Sequence, residues 1–225
     1  MIDIKNLTKT YITGEVETKV LKGIDLHIKS GEFVAIMGKS GAGKSTLLYQ
    51  MSLLDIPTSG KITINGVNIL ELSETKRTDF RLNKLGYIFQ DYALVPELTA
   101  DENVAVPLLM QQIEHKEAHA RAHKALDDID MQNKYHNRPN QLSGGEQQRV
   151  SIARAVVQNP EILFADEPTA NLDSVSSNMV IDVLHKLHQA GQTIVMVTHE
   201  PEYTKYCDRI ISLKDGLIVD HDYKI

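Results

Sequence analysis

The run Gly38-Lys39-Ser40-Gly41-Ala42-Gly43-Lys44-Ser45 constrains this chain more than any other segment of it. It satisfies the spacing G-x-x-x-x-G-K-[ST] and directly follows the apolar run Phe33-Val34-Ala35-Ile36-Met37. A buried strand ending in such glycines leads into a loop whose backbone N–H groups point inward, because glycine has no Cβ to obstruct them. Residues Thr46 to Leu54 continue as a helix, and the partial positive charge at its start favours the same anion. The expected occupant is a nucleoside triphosphate with Mg²⁺. Lys44 reaches the β- and γ-oxygens, the Ser45 hydroxyl is placed to ligate the metal, and Gly38 through Thr46 form the cradle.

Around this loop the chain alternates strands and helices, which predicts a mainly parallel sheet. Residues 1 to 35 read as strands, with Ile2, Ile4 and Leu7 near period two and a clear alternation from Leu21 to Ile28. Lys61 to Ile64 is a strand that follows the breakers Pro57, Ser59 and Gly60. From Thr99 to about Gln158 the periodicity is helical: Thr99 or Asp101 caps the first helix, Glu114 to Ile129 is polar with an Ala/Leu stripe, and another helix starts after Ser143. An apolar strand from Ile162 to Ala165, a helix from about Ser174 to Ala190 and a strand from Thr193 to Val197 follow. Asp215-Gly216 between Ile210–Leu213 and Leu217–Val219 marks a closing hairpin. The helical middle reads as an insertion, dividing the chain into a core of 1–90 and 159–225 and a helical subdomain of 91–158.

Strand Ile162–Ala165 ends in Asp166-Glu167. Asp166 can hold Mg²⁺ through water, and Glu167 is a suitable general base for the attacking water, the alternative being a surface carboxylate. Leu142-Ser143-Gly144-Gly145-Glu146-Gln147-Gln148-Arg149 sets a serine and two glycines at the start of a helix, which makes a second anion site far from the first.

That run resembles the signature motif of ABC (ATP-binding cassette) ATPases, and the resemblance extends over essentially the whole chain in the family's motif order. It implies an α/β P-loop NTPase core, an N-terminal antiparallel β subdomain and an inserted helical subdomain. It also implies an ATPase that dimerises head to tail, each ATP lying between one subunit's phosphate loop and the other's Ser143, Gly144 and Gly145. By the same resemblance Gln90, after Tyr87-Ile88-Phe89, senses the γ-phosphate and Mg²⁺. His199, after Thr193–Thr198, contacts the γ-phosphate, and Asn171-Leu172-Asp173 crosses the dimer interface. Tyr11 matches the adenine-stacking aromatic, although a strand tyrosine is by itself more often core or rim packing. The likeness is greatest to the lipoprotein-release, macrolide-export and peptide-export ATPases, on Leu53–Gly60, the long Tyr11–Leu21 segment and Gly86–Gln90. Glu146 stands where many members have Gln, and Ala170 where this subfamily often has Gly.

A net charge of −6 excludes a nucleic-acid coat protein, which needs a basic face. The N-terminus lacks the pattern of a secretion signal, no apolar run is long enough to span a bilayer, and the lone Cys207 suits a reducing compartment. The chain is therefore expected to be cytoplasmic, peripheral on the inner face of the cell membrane, with a separate integral membrane permease as its partner. His115, His119 and His123 share a helix face, but no acid is obviously positioned to complete a metal site, and the stretch reads as solvated. The charged residues between Glu71 and Lys84 likewise read as exposed surface.

Overall fold

The alternation near the N-terminus becomes a long antiparallel hairpin in the computed structural model. Strands β1 (Ile2–Thr13) and β2 (Val16–Ile28) pair from Ile2↔Ile28 to Thr13↔Val16, with register shifts along the way. Strand β3 (Phe33–Met37) leads to helix α1 (Lys44–Met51), after which β4 (Ser59–Ile64) and β5 (Val67–Asn68) complete an antiparallel sheet of order β2-β1-β4-β5. Ile2, Ile4, Leu21, Ile24, Ile28, Ile62 and Ile64 are buried on its inner face. Helix α2 (Glu74–Lys84) buries no residue, so the stretch expected only as polar surface is a helix, with Phe80 and Leu82 its only apolar residues.

Strand β6 (Leu85–Ile88) precedes helices α3 (Ala100–Met110), α4 (His115–Asp127) and α5 (Gly144–Val156). Thr99, not Asp101, caps α3 in a reciprocal box with Glu102, and Glu114 caps α4. The helices share an apolar cluster that includes Val104, Leu108, Leu126, Val150 and Ala153. Each such buried Leu or Val contributes about 1.5–3 kcal/mol relative to exposure. Strand β7 (Ile162–Asp166) pairs in parallel with β6, and α6 (Ser174–Gln189) follows, capped by Asp173.

The chain then forms β8 (Thr193–Val197), β9 (Arg209–Lys214) and β10 (Leu217–Tyr223). Strand β3 lies in parallel between β8 and β9, and β10 pairs antiparallel with β9. The structure describes residues 1–223, gathered into two units: Met1–Asp79 with the segment from Gly191 onward, and Phe80–Ala190.

Two departures from the sequence reading are local. Helix α1 starts at Lys44 and stops at Met51, because the segment beyond it folds back: the Leu54 and Asp55 N–H groups donate to Tyr49 O at 3.0 and 3.2 Å. Ser59 and Gly60, expected as breakers, open β4, where a Cβ on Gly60 would stand 2.6 Å from the backbone of Asn6.

Candidate nucleotide site

In the first unit, the start of β3 is fixed by buried ionic contacts. Glu32 and Arg209 pair at 2.9 Å, and the Phe33 N–H donates to Asp208 Oδ2 at 2.8 Å. Both side chains of the ion pair are almost fully buried, so removing one partner would strand a charge.

The phosphate loop leaves β3 at Gly38, where a Cβ would lie 2.2 Å from Leu213 O. Only glycine fits that approach. The loop ends at Gly43, with φ 102°, and this residue caps α1 without any side-chain hydrogen bond. The turn of the last hairpin braces it: Gly216 N–H donates to Ala42 O at 3.1 Å, and Lys22 N–H to Gly216 O at 2.9 Å. Lys39, Ser40 and Gly41 are exposed, Ser45 and Thr46 half-buried, and the buried Lys44 places its ammonium 3.3 Å from Lys39 O.

The parallel register Ile36↔Val197 carries Thr198 and His199 to the same end of the strands as the loop, and Thr198 N–H donates to Ile36 O at 3.2 Å. His199 itself is exposed. Tyr11, near the end of β1, is 39% exposed and donates its hydroxyl to Asp55 Oδ2 at 2.8 Å.

The second unit repeats the device. The register Ile88↔Ala165 brings Gln90 and the Asp166-Glu167 pair to one edge. Asp166 is buried, within 3.4 Å of the Tyr87 hydroxyl that donates to it. Glu167 adopts φ 44°, an uncommon conformation for a glutamate that turns its side chain off the strand line. The fully buried Gln148 of α5 donates to Pro168 O at 2.9 Å and to Phe89 O at 3.5 Å, and Asn171 Nδ2 donates to Gln90 O at 3.1 Å. Tyr92 and Ala93 both have positive φ, and their carbonyls accept from Arg154 at 2.8 and 2.6 Å. The backbone around the exposed Gln90 is thus pinned by side chains of α5 and by the turn at Asn171.

Helix α5 opens on exposed Ser143, whose Oγ accepts from Glu146 N–H at 3.3 Å while Glu146 Oε2 accepts from Ser143 N–H at 2.8 Å. Lys134 lies 3.1 Å from Glu146. Burial works to raise the Glu146 carboxyl, but the Ser143 N–H and Lys134 outweigh it and hold it below the ordinary value. Glu146 is therefore half of the cap, a place that a Gln could also fill. A Cβ on Gly144 would meet the Tyr92 hydroxyl at 2.9 Å, and one on Gly145 would meet Ser176 Oγ at 2.7 Å.

Sequence reasoning missed Lys9, Gln50, Gln148 and Arg154; only the i, i+2 spacing of Lys9 and Tyr11 on one strand face offered a signal. It also missed an acid. Asp101 Oδ2 lies 3.0 Å from His119 Nδ1 and 3.4 Å from His123 Nε2, so those two histidines lean on a carboxylate instead of forming a solvated face. Among the described residues, no group of three or more His, Cys, Asp or Glu is arranged to hold a metal.

A glycine-lined anion cradle at the end of a parallel strand, set in this mixed α/β fold, defines an ATP-binding P-loop ATPase. The chain matches the ABC transporter family over residues 21–170 and belongs to that family, with an N-terminal antiparallel β subdomain and an inserted helical subdomain. It is 49% identical, over 98% of both chains, to an uncharacterised ABC transporter ATP-binding protein of Methanocaldococcus jannaschii. It is 45% identical to the macrolide export ATP-binding/permease protein MacB of Bdellovibrio bacteriovorus, over 97% of this chain and 33% of MacB. The chain thus spans about a third of the length of that relative. Among solved structures it is similar to a dimeric post-hydrolysis state of the ATP-binding cassette MJ0796 bound to ADP and Pi, with TM-score 0.93, 42% identity and coverage of 99% and 98%. It is also similar to cbiO1 of Clostridium perfringens, part of the ABC transporter complex cbiONQ, with TM-score 0.86, 28% identity and coverage of 99% and 88%.

Proposed function

We propose that two copies of this chain close head to tail around two ATP molecules, and that their closure and reopening drive a separate integral membrane permease. The observation that carries the reading is the presence of two phosphate-suited helix N-termini on one chain. Gly43 opens α1 with no side-chain cap, and Ser143-Gly144-Gly145 opens α5. A cassette that grips its own ATP with the first has use for the second on ATP held by another copy. The dimeric MJ0796 structure and the place of cbiO1 in a transporter complex support this.

The roles we assign follow from the resemblance to ABC ATPases and from the chemistry of the residues. Backbone N–H groups from Gly38 to Thr46 and the Lys44 ammonium bind the phosphates. Tyr11 stacks on adenine, and Ser143, Gly144 and Gly145 meet the partner copy's ATP. Glu167 is the general base, His199 contacts the γ-phosphate, and Gln90 reports nucleotide state to the permease. Ser45, Gln90 and Asp166 offer a hydroxyl, an amide oxygen and a carboxylate, the hard oxygen donors that suit Mg²⁺, which when bound neutralises phosphate charge. Residues 91–158 form the helical subdomain inserted between 1–90 and 159–225, a division supported by the apolar cluster from Ala100 to Val157.

We place the chain in the cytoplasm, peripheral on the inner face of the membrane. Among the described residues no helix is long and apolar enough to cross a bilayer, so membrane coupling falls to the permease. The similarity to the macrolide export protein MacB supports export, to which the motif resemblance adds lipoprotein or peptide extrusion, and the net charge of −6 argues against a nucleic-acid partner. Glu167→Gln tests the core of the reading. Turnover should fall by about 10²–10⁴-fold, the usual contribution of a general base, while ATP gathers the variant into a stable dimer seen by light scattering. Near-wild-type hydrolysis would remove Glu167 as the base, and a monomer at saturating ATP would overturn the dimer.

A further inference from the structure

We propose that Asp55 is a positioning residue for the nucleotide base: it tethers the Tyr11 ring to the phosphate-binding helix and so sets where adenine can stack. The proposal rests on the reading of Tyr11 as the stacking side chain.

The Asp55 carboxylate takes donors from three directions. Oδ2 accepts from the Tyr11 hydroxyl at 2.8 Å and from Gln50 Nε2 at 2.9 Å. Oδ1 accepts from Lys9 Nζ at 2.8 Å and from the Ile56 N–H at 2.7 Å. Lys9 in turn donates to Ile56 O at 2.6 Å, and its ammonium lies 4.7 Å from the centre of the Tyr11 ring. The ring is thus held at its tip by an anion and over one face by a cation. The residue is nonetheless 39% exposed, which leaves ring surface for a stacking partner.

What Asp55 is fastened to gives the tether its meaning. Gln50 is fully buried on α1, the helix that begins at Lys44, and the Asp55 N–H bonds Tyr49 O on the same helix at 3.2 Å. A short chain of bonds therefore runs from the phosphate-binding helix through Asp55 to the aromatic ring. It fixes the separation of the two ends of a bound nucleotide before the nucleotide arrives. An aromatic ring at an exposed strand position would otherwise give up rotamer freedom on stacking, and a ring already held avoids that cost.

The charge states agree with the geometry. Burial works to raise the Asp55 carboxyl, but the bonds from Lys9, Tyr11, Ile56 and Gln50 outweigh it and hold it below the ordinary carboxylate value. Burial and the Asp55 carboxylate both raise the Tyr11 phenol, with Thr46 opposing. Tyrosine is the donor and aspartate the acceptor throughout the physiological range.

The test uses the full chain and two probes, ATP and base-free inorganic tripolyphosphate, with dissociation constants measured by equilibrium binding. Asp55→Asn should weaken ATP about three- to tenfold, the range expected for immobilising one side chain, and leave tripolyphosphate within twofold. Tyr11→Phe keeps the ring and loses the tether without touching the carboxylate, so it should show the same split. In a Tyr11→Ala background Asp55→Asn should add nothing for ATP. Equal weakening of both probes would show Asp55 to be only a brace between β1 and α1, and would overturn the proposal. A loss with Tyr11→Ala but none with Asp55→Asn or Tyr11→Phe would overturn it too, leaving the stacking reading intact. No loss of ATP affinity with Tyr11→Ala would remove the stacking reading and the proposal together.

Discussion

Helices α1 and α5 both carry glycine where they start, Gly43 as the cap of one and Gly144 as the first residue of the other, yet they are finished differently. Helix α1 has no side-chain cap and no acid in its first turn, and its first residue is the buried Lys44. Helix α5 carries a complete capping box, Ser143 with Glu146, and the acid in its first turn is paired with Lys134. An N-terminus without a cap has orphan donors to offer and leans on its ligand for stability. A capped one is stable by itself and offers a hydroxyl and a helix dipole at the cost of a nearby carboxylate. The first needs an anion to complete it; the second is complete without one.

The largest expected effect separates the two ends by affinity. Lys44→Ala removes charge-assisted bonds worth roughly 1.5–3 kcal/mol, so the Kd for ATP of the monomeric chain should rise about 10- to 150-fold. Ser143→Ala should leave that monomer Kd within twofold while impairing ATP-driven dimerisation of Glu167→Gln protein. Equal losses of monomer affinity in the two variants would break the comparison.

Stability shows the reverse order. Ser143→Ala deletes a cap and should cost about 1 kcal/mol, a fall in Tm of roughly 2–4 °C in calorimetry. Lys44→Ala removes no cap and should leave the unliganded Tm unchanged or raised, because a buried ammonium is costly to hold.

The smallest effect sharpens the role of Glu146. Glu146→Gln keeps an acceptor for the Ser143 N–H and loses only the pairing with Lys134, a change of about 0.5 kcal/mol or less at neutral pH. Because the folded carboxyl sits below its unfolded value, its contribution is complete above the unfolded pKa of about 4.3 and is lost as pH falls through the lower folded value. Denaturant titrations below pH 4.3 should therefore show the wild-type advantage over Glu146→Gln shrinking. A constant gap through that window would mean the charge is irrelevant.

What could be read from the sequence was what neighbouring residues decide among themselves. The phosphate loop, the apolar β3 and β7, the Ser143 helix start and the Asp215-Gly216 turn each rest on a few adjacent residues, and each stands in the structure. Helix α2 was hard to read because Phe80 and Leu82 are its only apolar residues and none of its side chains is buried, so its polar run passes for plain surface. The Asp55 and Asp101 networks were illegible for another reason. Lys9 meets Asp55 across 46 positions, and Asp101 meets His119 across 18, through backbone pairing and helix packing that no local pattern encodes. The three-histidine face shows the penalty: its spacing was visible, and the carboxylate that fixes two of the rings was not.

The interleaving of β3 with β8 and β9 also governs the order in which a growing chain can finish its parts. Strand β3 leaves the ribosome early, but both strands that flank it are made near the end. The phosphate loop must wait for them as a tail without a sheet. The segment from Phe80 to Ala190, with its own apolar cluster, is contiguous and can condense during that wait. A nascent chain stalled just before β8 would thus display a folded Ser143 helix while its phosphate loop still had nothing to stand on.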